Sequence, residues 1–248
     1  YGKENPGLYH VFRMWWLSSD QPLVIGVRKR GKGVSMVLKR TSVLVFVLML
    51  GMVGSAFVVH AQQHTELTLR PIEEVRDYYF EYAAQHGWQK LSDALRQNAM
   101  SAVISDGTFV ETASRLYTPR VFWAERMAAA DYYFQDLEEA EQEFYADYYI
   151  DPAVGIAILA LLRDTNLGHV QSSNVEFIVR DSSGKVFRDF DVWAFCRAVT
   201  EQTVFGITLY DAVYDLFVFG DFSEAEYIEL FVLVDGMVGR AEHRWNLK

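Results

Sequence analysis

Acid–base chemistry in this 248-residue chain would have to come from Asp211, Asp215 and His243. Two carboxylates and an imidazole could serve as the acid and base of a hydrolase. No local spacing brings them together, so an exported hydrolase with a site assembled from scattered residues stands as the alternative reading. His64, His86, His169 and His243 form no close pair with metal-ligand spacing, and HExxH and CxxC are both absent. There is no GxSxG elbow, no GxGxxG following a strand and no phosphate-loop lysine motif. Glu139 and Glu143 lie four apart on an acidic stretch and could share a divalent cation. The calcium-loop pattern is missing, however, and such carboxylates read as the solvated face of a helix. Cys196 is the single cysteine, which excludes an intramolecular disulfide, and it reads as a small buried hydrophobe. Asp181-Ser182-Ser183-Gly184 reads as turn geometry. The sequence therefore predicts no catalytic, cofactor-binding or metal-ligating residue, and no cofactor.

Recognition chemistry is better supplied. "DYY" occurs at Asp77-Tyr78-Tyr79, Asp131-Tyr132-Tyr133 and Asp147-Tyr148-Tyr149, at spacings too unequal for a repeat. A tyrosine has an apolar body and a polar tip, so each pair is expected to give one ring to the core rim and one to the side. Gly206 to Phe222, "GITLYDAVYDLFVFGDF", is strongly aromatic. Alternation puts Phe217 and Phe219 opposite Leu216 and Val218, as in a strand buried between a second sheet and a helix layer. Core-rim packing is the first reading of the tyrosine pairs, and a surface for a protein or glycan partner is the alternative.

Two kinds of element must position these groups. From Pro71 to Tyr149 the signals are helical. Val75, Tyr78, Tyr79 and Tyr82 recur at helical spacing, and Gly87 is a stop. Leu91, Leu95, Ala99, Ala102 and Val103 predict a second helix, broken at Asp106-Gly107. Thr118-Pro119 opens a third as a cap and first-turn proline, and an acidic helix follows over Asp136 to Tyr148. After Asp151-Pro152 the texture becomes short apolar runs between turns. Val154–Leu162, a hairpin around Asp181–Gly184, Trp193–Val199, Val204–Tyr210, Val213–Phe219, Tyr227–Val234 and Glu242–Leu247 read as strands, with the Trp245 indole inward.

The first part of the chain reads as an address. Lys39-Arg40, the apolar run Val43–Leu50 and the closing Val59-His60-Ala61 follow the order of a secretory signal peptide over residues 36–61. The competing reading is an uncleaved membrane anchor. Lys32-Gly33-Val34 can be encoded by a purine-rich ribosome-binding sequence ahead of Met36, so residues 1–35 are expected to be translated upstream DNA, or alternatively a tail. Removing residues 1–61 leaves 15 basic and 31 acidic residues, a net charge of −16. Such a domain is a poor match to nucleic acid, which needs concentrated basic surface.

The fold class expected is α+β: a helical region over 62–150 packed on an antiparallel, β-sandwich-like or barrel-like domain over 151–248. The expected function is that of an exported bacterial envelope or secreted protein acting as a non-catalytic binding or assembly module. It would be periplasmic or secreted, with a membrane role only if the leader is retained.

Overall fold

A computed structural model describes residues 66–104, 111–237 and 239–247. The two leader segments expected over 1–61, and His64, lie outside the described residues. The described part belongs to one compact unit beginning at Thr65.

The helices begin where the local chemistry allows them. Helix α1 (Arg76–His86) is separated from α2 (Trp88–Asn98) by Gly87, whose φ of 89° lies in the left-handed region that favours glycine. In α3 (Pro119–Tyr132) Thr118 accepts a hydrogen bond from the Val121 amide at 3.3 Å, and Pro119 occupies the first turn. Asp136 caps α4 (Leu137–Glu143) in the same way, accepting from Glu139 N at 3.0 Å, and a π-helical turn (Phe144–Tyr148) prolongs it.

One helical expectation fails. The period of Leu91, Leu95 and Ala99 does not continue through Ala102 and Val103: α2 ends at Asn98, and β1 (Met100–Ile104) pairs antiparallel with β2 (Glu111–Tyr117). The hairpin then joins the C-terminal strands, because β2 pairs with β3 (Gly155–Asp164) from Glu111↔Arg163 to Tyr117↔Ala157. One sheet thus crosses the expected division near Asp151.

A short helix α5 (Leu167–Val170) follows β3. The remaining strands are β4 (Val175–Asp181), β5 (Val186–Phe187), β6 (Val192–Val204), β7 (Ile207–Phe219), β8 (Tyr227–Val234) and β9 (Arg240–Asn246). They form two antiparallel sheets, a five-stranded one in the order β1-β2-β3-β7-β6 and a four-stranded one in the order β5-β4-β8-β9. The molecule is therefore α+β with a β-rich C-terminal part, and neither sheet closes into a barrel among the described residues. The three strands expected across 193–219 are two long ones, since the chain turns at Phe205-Gly206 rather than between Tyr210 and Val213.

Both sheets feed one apolar cluster. The five-stranded sheet gives it Ile156, Ile158, Leu162, Tyr214, Leu216 and Val218, and the four-stranded sheet gives Phe177, Val179, Leu230, Val232 and Trp245. Strand alternation leaves Arg115, Tyr117, Asp211, Asp215, Phe217 and Phe219 on the other, outer face of the larger sheet. The helices reach that face at β2. Phe122 packs against Tyr117 with ring centroids 5.6 Å apart, and Glu125 lies between Arg115 and Arg96 at 3.0 and 3.1 Å. The helices have their own core, in which Trp123 meets Tyr79, Trp88 and Phe80.

Candidate interaction surface

The three residues best suited to acid–base work do not converge. Asp211 and Asp215 share the outer face of β7, whereas His243 lies on β9 in the other sheet. Each is engaged where it stands. Asp211 accepts two hydrogen bonds from Arg163, at 2.6 and 3.0 Å, and one from Gln202 at 2.8 Å. Arg163 also donates to Glu111 at 2.9 Å, so the four side chains form a row across β2, β3, β7 and β6. Asp215, 5 % exposed, is held by both arms of Arg197 at 2.6 and 2.9 Å. Burial pushes its carboxyl above the usual carboxylate range, and the Arg197 guanidinium only partly offsets this. His243 is 1 % exposed, with Nδ1 3.3 Å from Ser101 Oγ and its ring stacked against Trp245.

The other singled-out residues resolve into structural roles. His169 is 3.2 Å from Asp164 and 3.0 Å from Asn166 within one turn, and His86 leans on Tyr82. Asp181 Oδ1 accepts from the Ser183 and Lys185 amides at 2.9 and 3.0 Å, which is turn geometry. The acidic helix is not a purely solvated face. Glu143 pairs with Arg126, and Glu141, 7 % exposed, accepts two bonds from Arg76 at 2.8 and 2.6 Å and one from the Trp123 indole at 3.2 Å. Glu141 thereby ties α4 to α1 and α3. No group of acidic, histidine or cysteine side chains among the described residues has metal-ligand geometry.

The aromatic expectations divide. In the first pair Tyr79 is buried against Trp123 while Tyr78 turns toward Tyr82, one ring in and one aside. The second pair is exposed on both rings, Tyr132 and Tyr133 meeting edge to face at 5.0 Å, and the third is half-buried on both. Phe217 and Phe219 do lie opposite Leu216 and Val218, in edge contact at 4.6 Å.

A run of exposed apolar side chains lies on β6, the last strand of its sheet. It pairs with β7 from Val192↔Val218 to Val204↔Ile207, and its other edge has no strand beside it among the described residues. Trp193 is 40 % and Phe195 45 % exposed, and their rings lie 7° from parallel with centroids 5.9 Å apart. Val199, Val204, Phe205 and Ile207 continue the exposed apolar groups to the end of the hairpin. Between Cys196 and Ala198 the register slips by one residue, a β-bulge whose extra residue, Arg197, reaches Asp215. Cys196, expected to be buried, is only half-buried at this bulge, with Sγ 3.7 Å from the Ala198 carbonyl oxygen. Residue alternation alone could have placed Trp193 and Phe195 on one face. That they would be exposed depends on β6 being an edge strand, which only the topology decides.

No protein-family model matches the chain, and no curated protein matches it in sequence.

Proposed function

We propose that this protein is an exported, non-catalytic binding or assembly module that engages a protein or glycan partner through the aromatic face of β6. The observation that carries the reading is the Trp193–Phe195 pair, two near-parallel rings half-exposed on a sheet edge. Clustered exposed aromatics of this kind mark recognition surfaces, because flat rings offer contact area at low entropic cost. The leader order over 36–61 supports a periplasmic or secreted location, or attachment facing the periplasm if the leader is retained. No helix among the described residues is long and apolar enough to cross a membrane. The shared apolar cluster supports reading the two sheets as a sandwich.

The test is the double variant Trp193→Ser/Phe195→Ser, compared with wild type on a glycan array and in crosslinked pull-downs from envelope extract. Binding should weaken by roughly tenfold or more, the size expected of paired aromatic anchors, while the variant keeps a cooperative thermal transition. Equal binding by both proteins would remove β6 from the partner surface.

A further inference from the structure

The far end of the β6–β7 hairpin carries a second feature that the Trp193–Phe195 face does not use. The closing pair is Val204↔Ile207, so the loop is the two residues Phe205 and Gly206, with φ of 52° and 81°. A two-residue loop with both positions left-handed favours Asn-Gly or Asp-Gly, because a β-carbon crowds the backbone there. Gly206 meets that demand and Phe205 does not. The Phe205 ring is fully exposed, so nothing within the fold rewards the residue for its strained backbone. A locally disfavoured residue without a structural return is where a function is to be sought.

The surroundings of Phe205 indicate what would accept the ring. From Gln202 to Tyr210 there is no charged residue: the nine are "QTVFGITLY". Val204 and Ile207 are exposed beside the apex, and Tyr210 lies half-buried further back. The first charges are Glu201 and Asp211, both acidic, and Asp211 is engaged by Arg163. At about 3.3 Å per residue the apex stands roughly 13 Å beyond Glu201. An apolar element sinks about 5–10 Å into the boundary between headgroups and acyl chains, so both carboxylates would stay in water. The chain carries a net −10, which repels both a second copy of itself and an anionic surface. A neutral tip on an acidic body matches a zwitterionic lipid surface.

We infer that the β6–β7 tip, with Phe205 at its apex, is a peripheral anchor that inserts into zwitterionic lipid. It gives the protein membrane contact that does not depend on a retained leader. It uses the same strand as the partner surface but not the Trp193–Phe195 pair.

Hydrogen exchange on the full chain, with and without vesicles of phosphatidylcholine alone, tests the anchor at the tip itself. Amides of residues 202–210 should slow at least tenfold with vesicles, while those of β4 and β8 stay unchanged. Vesicles containing one-quarter phosphatidylglycerol should protect the tip less. Phe205→Asn should abolish the protection yet melt no lower than wild type, since asparagine is at home in the left-handed turn. Trp193→Ser/Phe195→Ser should keep the protection, which separates this proposal from the partner surface. Equal exchange with and without vesicles, stronger protection by the anionic vesicles, or full protection in Phe205→Asn would each overturn it. So would tip protection that appears without lipid as protein concentration rises, which would assign the tip to a second copy.

Discussion

Asp215 and Glu141 illustrate what a carboxylate's environment decides and its sequence position conceals. Both are acidic residues among other acidic residues, yet each is buried against an arginine. Glu141 belongs to a run, Asp136 to Asp147, without a basic residue, which is why it reads as solvated. Its partners Arg76 and Trp123 come from other helices, and no local pattern announces them. For Asp215, burial raises the folded-state pKa above its ordinary value near 4. The folded protein then binds this proton more readily than the unfolded chain does. The resulting stabilisation is fully present below the ordinary value and is lost as pH rises through the raised one. Asp215→Asn cannot titrate, and the cost of leaving Arg197 with a neutral partner is largely independent of pH. The stability of the variant relative to wild type should therefore improve from pH 4 upward and level off above the folded pKa. Urea midpoints of both proteins at pH 4, 5, 6 and 7 check this, and a relative stability that falls with pH would contradict the assignment.

At the scale of elements, edge strand β6 combines exposed apolar groups with two guards against adding another strand. The first is the bulge at Arg197, which breaks the regular edge. The second is Glu201, paired across from Tyr210 on the face that turns toward the apolar cluster. A charge on that face penalises extension of the sheet, because a neighbouring strand would bury it. Glu201→Val removes the guard and completes an apolar stripe with Val199. The variant should self-associate as concentration rises, seen as increasing mass by light scattering, while wild type keeps a constant mass. Constant mass in the variant would leave the bulge as the sole guard. The same strand shows what could be read from the sequence. β3, β8, β9 and the Asp181–Gly184 hairpin are bounded by glycines, prolines and charges, and their sequence-derived limits fall within a few residues of the observed ones. β6 and β7 were not legible as two strands. Their turn carries Phe205 where asparagine or aspartate would mark it, and the polar residues of the Glu111–Arg163–Asp211–Gln202 row look like breaks. The β1–β2 hairpin was hidden for the opposite reason, since Ala99, Ala102 and Val103 extend a helical period that pairing with β3 overrides.

Across the whole molecule, the question is whether the helices and the sheets form one folding unit or two. The helices have their own aromatic core around Trp123, which invites the second answer. But α1 to α3 with the β1–β2 hairpin amount to only about 60 residues, a size at which a core is marginal on its own. Several links out of that core run into the sheets. The Ala99 carbonyl at the end of α2 accepts from both Leu116 N at 3.1 Å and the Trp245 indole at 2.8 Å, tying helix, β2 and β9 at one point. Glu125 joins α3 to Arg96 of α2 and Arg115 of β2. Melting the helices alone would strand the Trp245 indole in an apolar core without its acceptor and expose the face of β2 that carries Tyr117. The protein should therefore unfold in a single transition. With 5-fluorotryptophan incorporated, the Trp123 resonance reports the helical core and the Trp245 resonance the sheet core. Through a urea titration their midpoints should coincide, and the transition should keep one slope. Loss of the Trp123 signal at a clearly lower urea concentration than the Trp245 signal would show that the helices melt as a separate unit.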